Sequence, residues 1–295
     1  MPRMKRLAVA ALLMVLALAG ASLAAGEWLT RPAHQSIGAP PPELAGAEAV
    51  QFRSADGLTV SGWFVPGRAD QGAVLLQHGV RSNRLQMLAR ARWLQREGLA
   101  SLLIDLPSHG ESAGDRITFG HREARATEAA LAWLRARLPG ERVGAIGVSL
   151  GGAALLFAQR QPELDALVLE SVYPSIELAT RNRLAMRLGE PAAQLLAPLL
   201  LVQLPLRLAL SPAQLRPIDA LAAVRAPLLI AAGTRDEHTR WSETESLYAA
   251  ASASADRTLW PVPGAAHVDL HAFHADAYED FVGGWLRRQL RKAPA

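Results

Sequence analysis

"RVGAIGVSLGGAALLF", residues 142–157, is the stretch that decides the fold. An apolar run climbs from Val143 to Val148, meets a serine wedged among small residues, and turns at once into an Ala- and Leu-rich segment from Leu150. Gly147-Val148-Ser149-Leu150-Gly151 therefore reads as a G-x-S-x-G turn between a buried strand and a helix. The small flanking residues permit a tight, strained turn that lifts the Ser149 hydroxyl above the edge of a sheet. The start of the following helix offers unpaired N–H groups and a positive dipole end, both suited to a developing oxyanion. The hydroxyl is placed to be reached.

Outward from this turn the chain alternates short apolar runs with amphipathic segments. "AVLLQHG" precedes a helix expected over Arg84–Glu97, and "ASLLIDLP" precedes one over Arg122–Leu138. The serine turn follows, leading into a helix over Leu150–Gln161, and then "ALVLES". Apolar strands separated by helices predict βαβ units and an α/β fold with a mainly parallel sheet flanked by helices. Upstream, "AVQFRSADGLTVSGWFVPG" predicts two strands joined at Asp56-Gly57. The rhythm breaks over residues 175–217, a leucine-rich stretch interrupted by Pro191, Pro198, Pro205 and Pro212, which reads as an inserted helical cap. It resumes with "APLLIAAGTRDEH", a helix near Trp241–Ala250, "TLWPVPGAAH", and a last helix over Ala275–Arg288.

A serine hydroxyl becomes nucleophilic beside a base, and the base needs an orienting acid. After a strand-to-helix serine turn of this kind the acid and then the histidine follow in chain order, each on a loop after a strand. Asp236 lies just past "PLLIAAG" with Glu237 as its competitor, and His267 lies just past "WPVPG". Glu170, at the end of "ALVL", is the secondary acid, and His238 stands near Asp236 as a pocket candidate. His78-Gly79 ends an early strand; there the backbone N–H of Val80 would join that of Leu150 as oxyanion donors, with His78 shaping the loop. "HVDLHAFH" gathers His267, Asp269, His271 and His274, but a catalytic histidine and a polar helix start account for this cluster without a metal.

Composition sets the outer limits. The 295 residues are half hydrophobic with a net charge of +4, which describes a globular chain with a sizeable core. Only Lys5 and Lys292 are lysines, and the arginines are scattered along amphipathic helices as solvated faces. They form no clustered basic surface of the kind a nucleic acid needs. The absence of cysteine excludes disulfides, a thiol nucleophile and thiolate metal sites. Residues 1–25 combine a cationic start (Arg3, Lys5, Arg6) with an apolar run from Leu7 and small residues at Ala24 and Ala25. That is the layout of a signal peptide, or of an N-terminal membrane anchor holding the rest outside the cytoplasm, periplasmic or secreted. Residues 26–46, with Pro40-Pro41-Pro42, read as a linker, and residues 47–290 as the main domain.

"HGVRSN", "DLPSHGESAG", "GVSLGG", "GTRDEHT" and "GAAH" together resemble the α/β-hydrolases, over nearly all of the chain after the linker. The likeness is greatest to the lysophospholipase-like and serine-aminopeptidase-like branch, which carries helical caps. The resemblance implies the α/β-hydrolase fold and a serine hydrolase without metal or cofactor: Ser149 as nucleophile, His267 as base and Asp236 as its partner. The expected reaction is cleavage of carboxylic esters with apolar acyl or lipid groups through an acyl-enzyme on Ser149. A peptidase or amidase on the same triad, and a non-catalytic binding protein on this fold, are the alternatives. The oxyanion loop lacks the glycine run of some lipases and esterases, so their substrates do not transfer to this chain.

Overall fold

The computed structural model describes residues 2–158, 164–267 and 269–292. Its centre is an eight-stranded sheet built from β2 (Glu48–Arg53), β3 (Thr59–Val65), β4 (Ala73–Gln77), β5 (Ala100–Ile104), β7 (Val143–Val148), β8 (Ala166–Glu170), β9 (Leu228–Gly233) and β10 (Arg257–Val262). The order across the sheet is β10-β9-β8-β7-β4-β5-β3-β2. The two-residue strands β1 (Ala33–His34) and β6 (His109–Gly110) pair separately and in parallel. Within the main sheet β3 runs antiparallel to both of its neighbours, β2 and β5, and the other described pairs are parallel. The expected hairpin at Asp56-Gly57 joins β2 and β3, with Gly57 supplying the positive φ (80°) of the turn.

Strands β4, β5, β7, β8 and β9 are buried along their whole length, as expected of a parallel sheet covered on both faces. Alternate residues serve opposite cores. Leu75 faces α3 (Glu123–Arg137) and α4 (Leu150–Phe157), through Leu131, Leu134 and Leu155. Val74 and Leu76 face α2 (Leu88–Glu97) and α11 (Ala275–Leu290), through Trp93, Leu94, Val282, Trp285 and Leu286. Gln161, where the sequence ends the helix after Ser149, lies outside the described residues.

Between β8 and β9 come α5 (Ile176–Leu188), α6 (Glu190–Leu201), α7 (Leu204–Leu208) and the short α8 (Pro217–Leu221). Ser175 caps α5 by accepting the N–H of Leu178 at 3.3 Å, and Gly189 (φ 81°) turns the chain into α6. These helices keep a small core of their own around Ile176, Leu204, Leu208 and Leu215. Helix α9 (Trp241–Ala250) and the four-residue α10 (Leu270–Phe273) complete the set.

Two expectations change. The apolar helix α1 (Pro2–Thr30) runs past residue 25, and the segment read as a linker is fastened to the body along its length. Ala33 and His34 pair with His109 and Gly110, the N–H groups of Ile37 and Gly38 both donate to Glu111 at 2.9 Å, and Trp63 donates to the Gly38 carbonyl. Backbone groups, which composition does not reveal, supply these ties. Second, the arginines are not all solvated: Arg84 and Arg90 are completely enclosed, each neutralised by buried carboxylates.

Candidate active site

The sheet order reverses between β4 and β7, and in open α/β sheets ligands bind in the crevice beyond the strand ends at such a point. The loop after β4 carries Val80, and the turn after β7 carries Ser149. Val148, Glu170, Ala231 and Trp260 lie side by side in register across β7 to β10, which levels the loops that follow.

Where the sequence reading expects an open hydroxyl, Ser149 is buried; it adopts φ 49°, ψ −105°, a conformation that costs a non-glycine residue on the order of 1–3 kcal/mol. The surroundings enforce it. The Ser149 N–H donates to the Glu170 carbonyl at 2.8 Å, and its own carbonyl accepts the Ala153 N–H at 3.0 Å as the first turn of α4. The glycines of the turn are steric requirements. A Cβ on Gly147 would come 2.6 Å from the Gly152 nitrogen, and one on Gly151 would come 2.6 Å from the Gln77 carbonyl oxygen. Leu150, whose N–H is the expected donor, is buried at the start of α4.

Across the crevice two histidines brace the loop of Gly79 and Val80. His78 bonds the Gly79 carbonyl through Nδ1 (2.7 Å) and accepts the Leu106 N–H at Nε2 (3.0 Å). His109 bonds the Pro107 carbonyl through Nδ1 (2.9 Å) and accepts the Arg81 N–H at Nε2 (3.0 Å). Both patterns require a neutral ring protonated at Nδ1. Burial enforces neutrality, lowering His78 to about 3, with His109 as a further cause, and His109 to about 4. His78 thus shapes the loop and is not placed to carry protons. The same loop is held from the far side, where the Arg81 guanidinium donates to the carbonyls of Trp28 (3.1 Å) and Arg31 (3.4 Å) and lies 4.7 Å over the Trp28 ring. Gly79 sits against the serine: a Cβ there would lie 3.9 Å from that of Ser149.

Asp236 and His267 meet directly, with Oδ2 to Nδ1 at 2.8 Å. The Asp236 side chain is wholly buried, and its Oδ1 accepts the N–H groups of His238 (2.9 Å) and Thr239 (2.8 Å), so the carboxylate is fixed. Because an ionised carboxylate only accepts, His267 carries its proton on Nδ1 and leaves Nε2 as the basic nitrogen. Glu237 is exposed, which removes the competitor. Gly233 allows the two loops to close, since a Cβ there would lie 2.2 Å from the Ala265 carbonyl oxygen.

The His238 ring lies beside that of His267, tilted by 33° with centroids 4.6 Å apart. Its pKa falls to about 4, first through burial and then through the charges of His267 and Arg183. Helix α5 leans on this corner: Asn182 donates to the His238 carbonyl (3.2 Å) and to Glu243 (2.7 Å).

Glu170 is not brought to a histidine. It is spent on Arg90, at 2.6 Å, and on the Tyr278 hydroxyl. Arg90 in turn binds Asp269, the N-cap of α10, whose Oδ1 accepts the N–H groups of His271 and Ala272. This network anchors the chain two residues beyond His267. Arg81 and Arg90 are therefore supports that the sequence pattern does not reveal, and the positive φ of Arg81 (59°) leaves no mark in composition. His271 bonds Glu279 at 3.1 Å while Asp269 holds Arg90, so these two members of "HVDLHAFH" are engaged in structural contacts.

With the geometry in place, comparison with known proteins is informative. Residues 68–217 match the family model described as serine aminopeptidase, S33. The chain is 30% identical over 232 residues to an uncharacterized Mycobacterium tuberculosis protein, covering 77% of this chain and 74% of the relative. It is 25% identical over 269 residues to the uncharacterized protein YfhR of Salmonella typhi, covering 84% of each. Among solved structures it is similar in fold to a Pyrococcus furiosus esterase (TM-score 0.74, 22% identity, 89% of this chain and 98% of that one). A thermophilic esterase from Thermogutta terrifontis is also similar (TM-score 0.60, 19% identity, 82% and 99%).

Proposed function

The chain belongs to the serine aminopeptidase S33 family of α/β-hydrolases, and on that premise we propose that it is a serine hydrolase cleaving carboxylic esters with apolar acyl groups. The observation that carries this reading is the Asp236–His267 pair at 2.8 Å, on the same sheet edge as a serine held at positive φ.

In the proposed reaction the Ser149 oxygen attacks the acyl carbon while Nε2 of His267 takes the hydroxyl proton. The N–H groups of Val80 and Leu150 receive the charge that develops on the carbonyl oxygen. The tetrahedral adduct collapses, the carbon–oxygen bond to the leaving group breaks, and His267 returns the proton to that alcohol. Water then adds to the acyl-enzyme with His267 again as base, releasing the acid and restoring Ser149. Asp236 holds the imidazole in one tautomer throughout. No step calls on a metal or cofactor.

Residues 47–290 are read as the hydrolase domain, with the helices between Ser175 and Pro217 as a cap over the acyl pocket. Helix α1 is read as a membrane anchor that keeps the domain outside the cytoplasm. Its length and apolarity support this, as does the packing of its last turns against the body. The family description favours a second reading, a peptidase or amidase on the same groups; the two similar structures named above are esterases. The test is turnover by the full chain of p-nitrophenyl esters of increasing acyl length beside aminoacyl anilides. Ester cleavage that rises with acyl length and vanishes in Ser149→Ala supports the proposal. Anilide cleavage alone would transfer it to the second reading.

A further inference from the structure

Helix α1 is exposed from Arg3 to Ala21 and first meets the body at Ser22. From there the contacts are dense, and those made to α6 and α7 fall on one line. Ser22 donates to the Leu199 carbonyl at 3.0 Å, Gln203 donates back to Ser22 at 2.8 Å, and Arg207 binds Glu27 at 2.6 Å and the Leu23 carbonyl at 2.7 Å. Gly26 makes the approach possible, since a Cβ there would lie 2.4 Å from Oε1 of Gln203. Residues 199, 203 and 207 repeat every four positions, the spacing of a single helical face.

Next to that line runs a second one. Leu195, Leu199, Val202 and Leu206 recur at intervals of four, three and four, and they are 74%, 37%, 67% and 90% exposed. Isolated exposed leucines are ordinary, but a stripe of this length is not. The opposite side of the same segment is buried through Leu204 and Leu208, so α6 and α7 lie across the body and do not leave it.

Lengths decide what covers the stripe. At about 1.5 Å per residue, the apolar run of α1 from Leu7 to Ala25 is roughly 29 Å long, about the thickness of a bilayer's hydrocarbon core. Arg3, Lys5 and Arg6 would occupy the headgroup layer at one end. The other headgroup layer then falls where α6 and α7 clasp α1. Trp28 stands just beyond this point, half exposed, as interfacial tryptophans do.

We propose that the stripe Leu195–Leu199–Val202–Leu206 is a bilayer-docking surface, seated in the interface of the membrane that α1 enters. The occupant is lipid, because the stripe continues the exposed apolar surface of α1 and is locked to it by the Ser22, Gln203, Glu27 and Arg207 contacts. The proposal rests on the anchor reading of α1. It places the Arg81 side of the site at headgroup level, so an amphiphilic ester reaches Ser149 from the bilayer.

The chain contains no cysteine, so each introduced cysteine is the only thiol. Leu195→Cys, Val202→Cys, Leu206→Cys, Leu13→Cys and Ala69→Cys, each in the full chain, would carry a nitroxide label in vesicles of phosphatidylcholine with phosphatidylglycerol. Collision with oxygen and with an aqueous nickel chelate reports depth. Ala69 is exposed and precedes β4, at the end of the strands opposite to the one that carries Val80 and Ser149. The expected result is loss of chelate access at Leu13, Leu195, Val202 and Leu206 and full access at Ala69. Chelate access at all three helix α6–α7 positions equal to that at Ala69, with Leu13 in lipid, overturns the proposal while leaving the anchor intact. Leu13 in water overturns both. Labels shielded from oxygen and chelate alike, with spin–spin broadening, would assign the stripe to a second copy and also overturn it. None of these readouts depends on hydrolysis.

Discussion

Gly151→Ala tests the steric logic of the serine turn. Gly151 has an ordinary helical backbone, so alanine meets no conformational penalty there and the whole effect is contact. The new methyl would lie 2.6 Å from the Gln77 carbonyl oxygen and 2.8 Å from its carbon, about 0.8 Å inside the 3.4 Å at which ordinary contact begins. Gln77 has no room to yield: it is the last residue of β4, lies between β5 and β7, and donates to Thr127 at 2.7 Å. The start of α4 must move instead, carrying Ser149 and the Leu150 N–H with it. Overpacking of this kind costs about 1–3 kcal/mol of stability, and a misplacement near 1 Å costs about 10²-fold in turnover. Ester kcat/KM and urea denaturation of the variant beside the parent give both numbers. A folded Gly151→Ala that keeps more than half the parent's kcat would refute the claim that this close approach positions the serine.

Asp236→Asn should leave substrate binding near the parent's while lowering kcat by on the order of 10³–10⁴, because an amide no longer fixes the Nδ1–H tautomer of His267; steady-state kinetics check this. Arg81→Ala, which releases the loop of Val80 from Trp28 and Arg31, should lower kcat by about tenfold, less than the outright loss of one oxyanion donor. His109→Gln tests the buried neutral imidazole by denaturation at pH 6 and 5. The folded pKa of His109 is about 4 and the unfolded value about 6.5, so the unfolded chain binds the extra proton in this window. The stability of neutral His109 is present above pH 6.5 and lost as pH falls, so the parent should lose roughly 1 kcal/mol more than the variant between pH 6 and 5. Equal losses would contradict the assigned ring state.

The fold and the meeting of Asp236 with His267 were legible because their signals are local. The serine turn carries its glycines within five residues, and Asp236 and His267 each follow a recognisable apolar strand. Helix ends were also readable: Trp241–Ala250 falls where the pattern places it. What stayed hidden depends on pairings across the chain. Arg90 resembles its neighbours Arg92 and Arg96 in sequence, yet it alone turns inward to Glu170, 80 positions away. Glu170 looked available as an acid because nothing local shows that Arg90 and Tyr278 occupy it. The fastening of α1 to the body was hidden because its partners, Gln203 and Arg207, lie some 180 residues downstream. Polar ties between distant elements leave no period to read.

If Ser149 is an activated nucleophile, a fluorophosphonate should label the full chain and spare Ser149→Ala. The expected result is one adduct per chain, mapped by mass spectrometry to the peptide containing Ser149 and absent from the variant. A folded parent that takes up no label, or a label that survives Ser149→Ala, would contradict it.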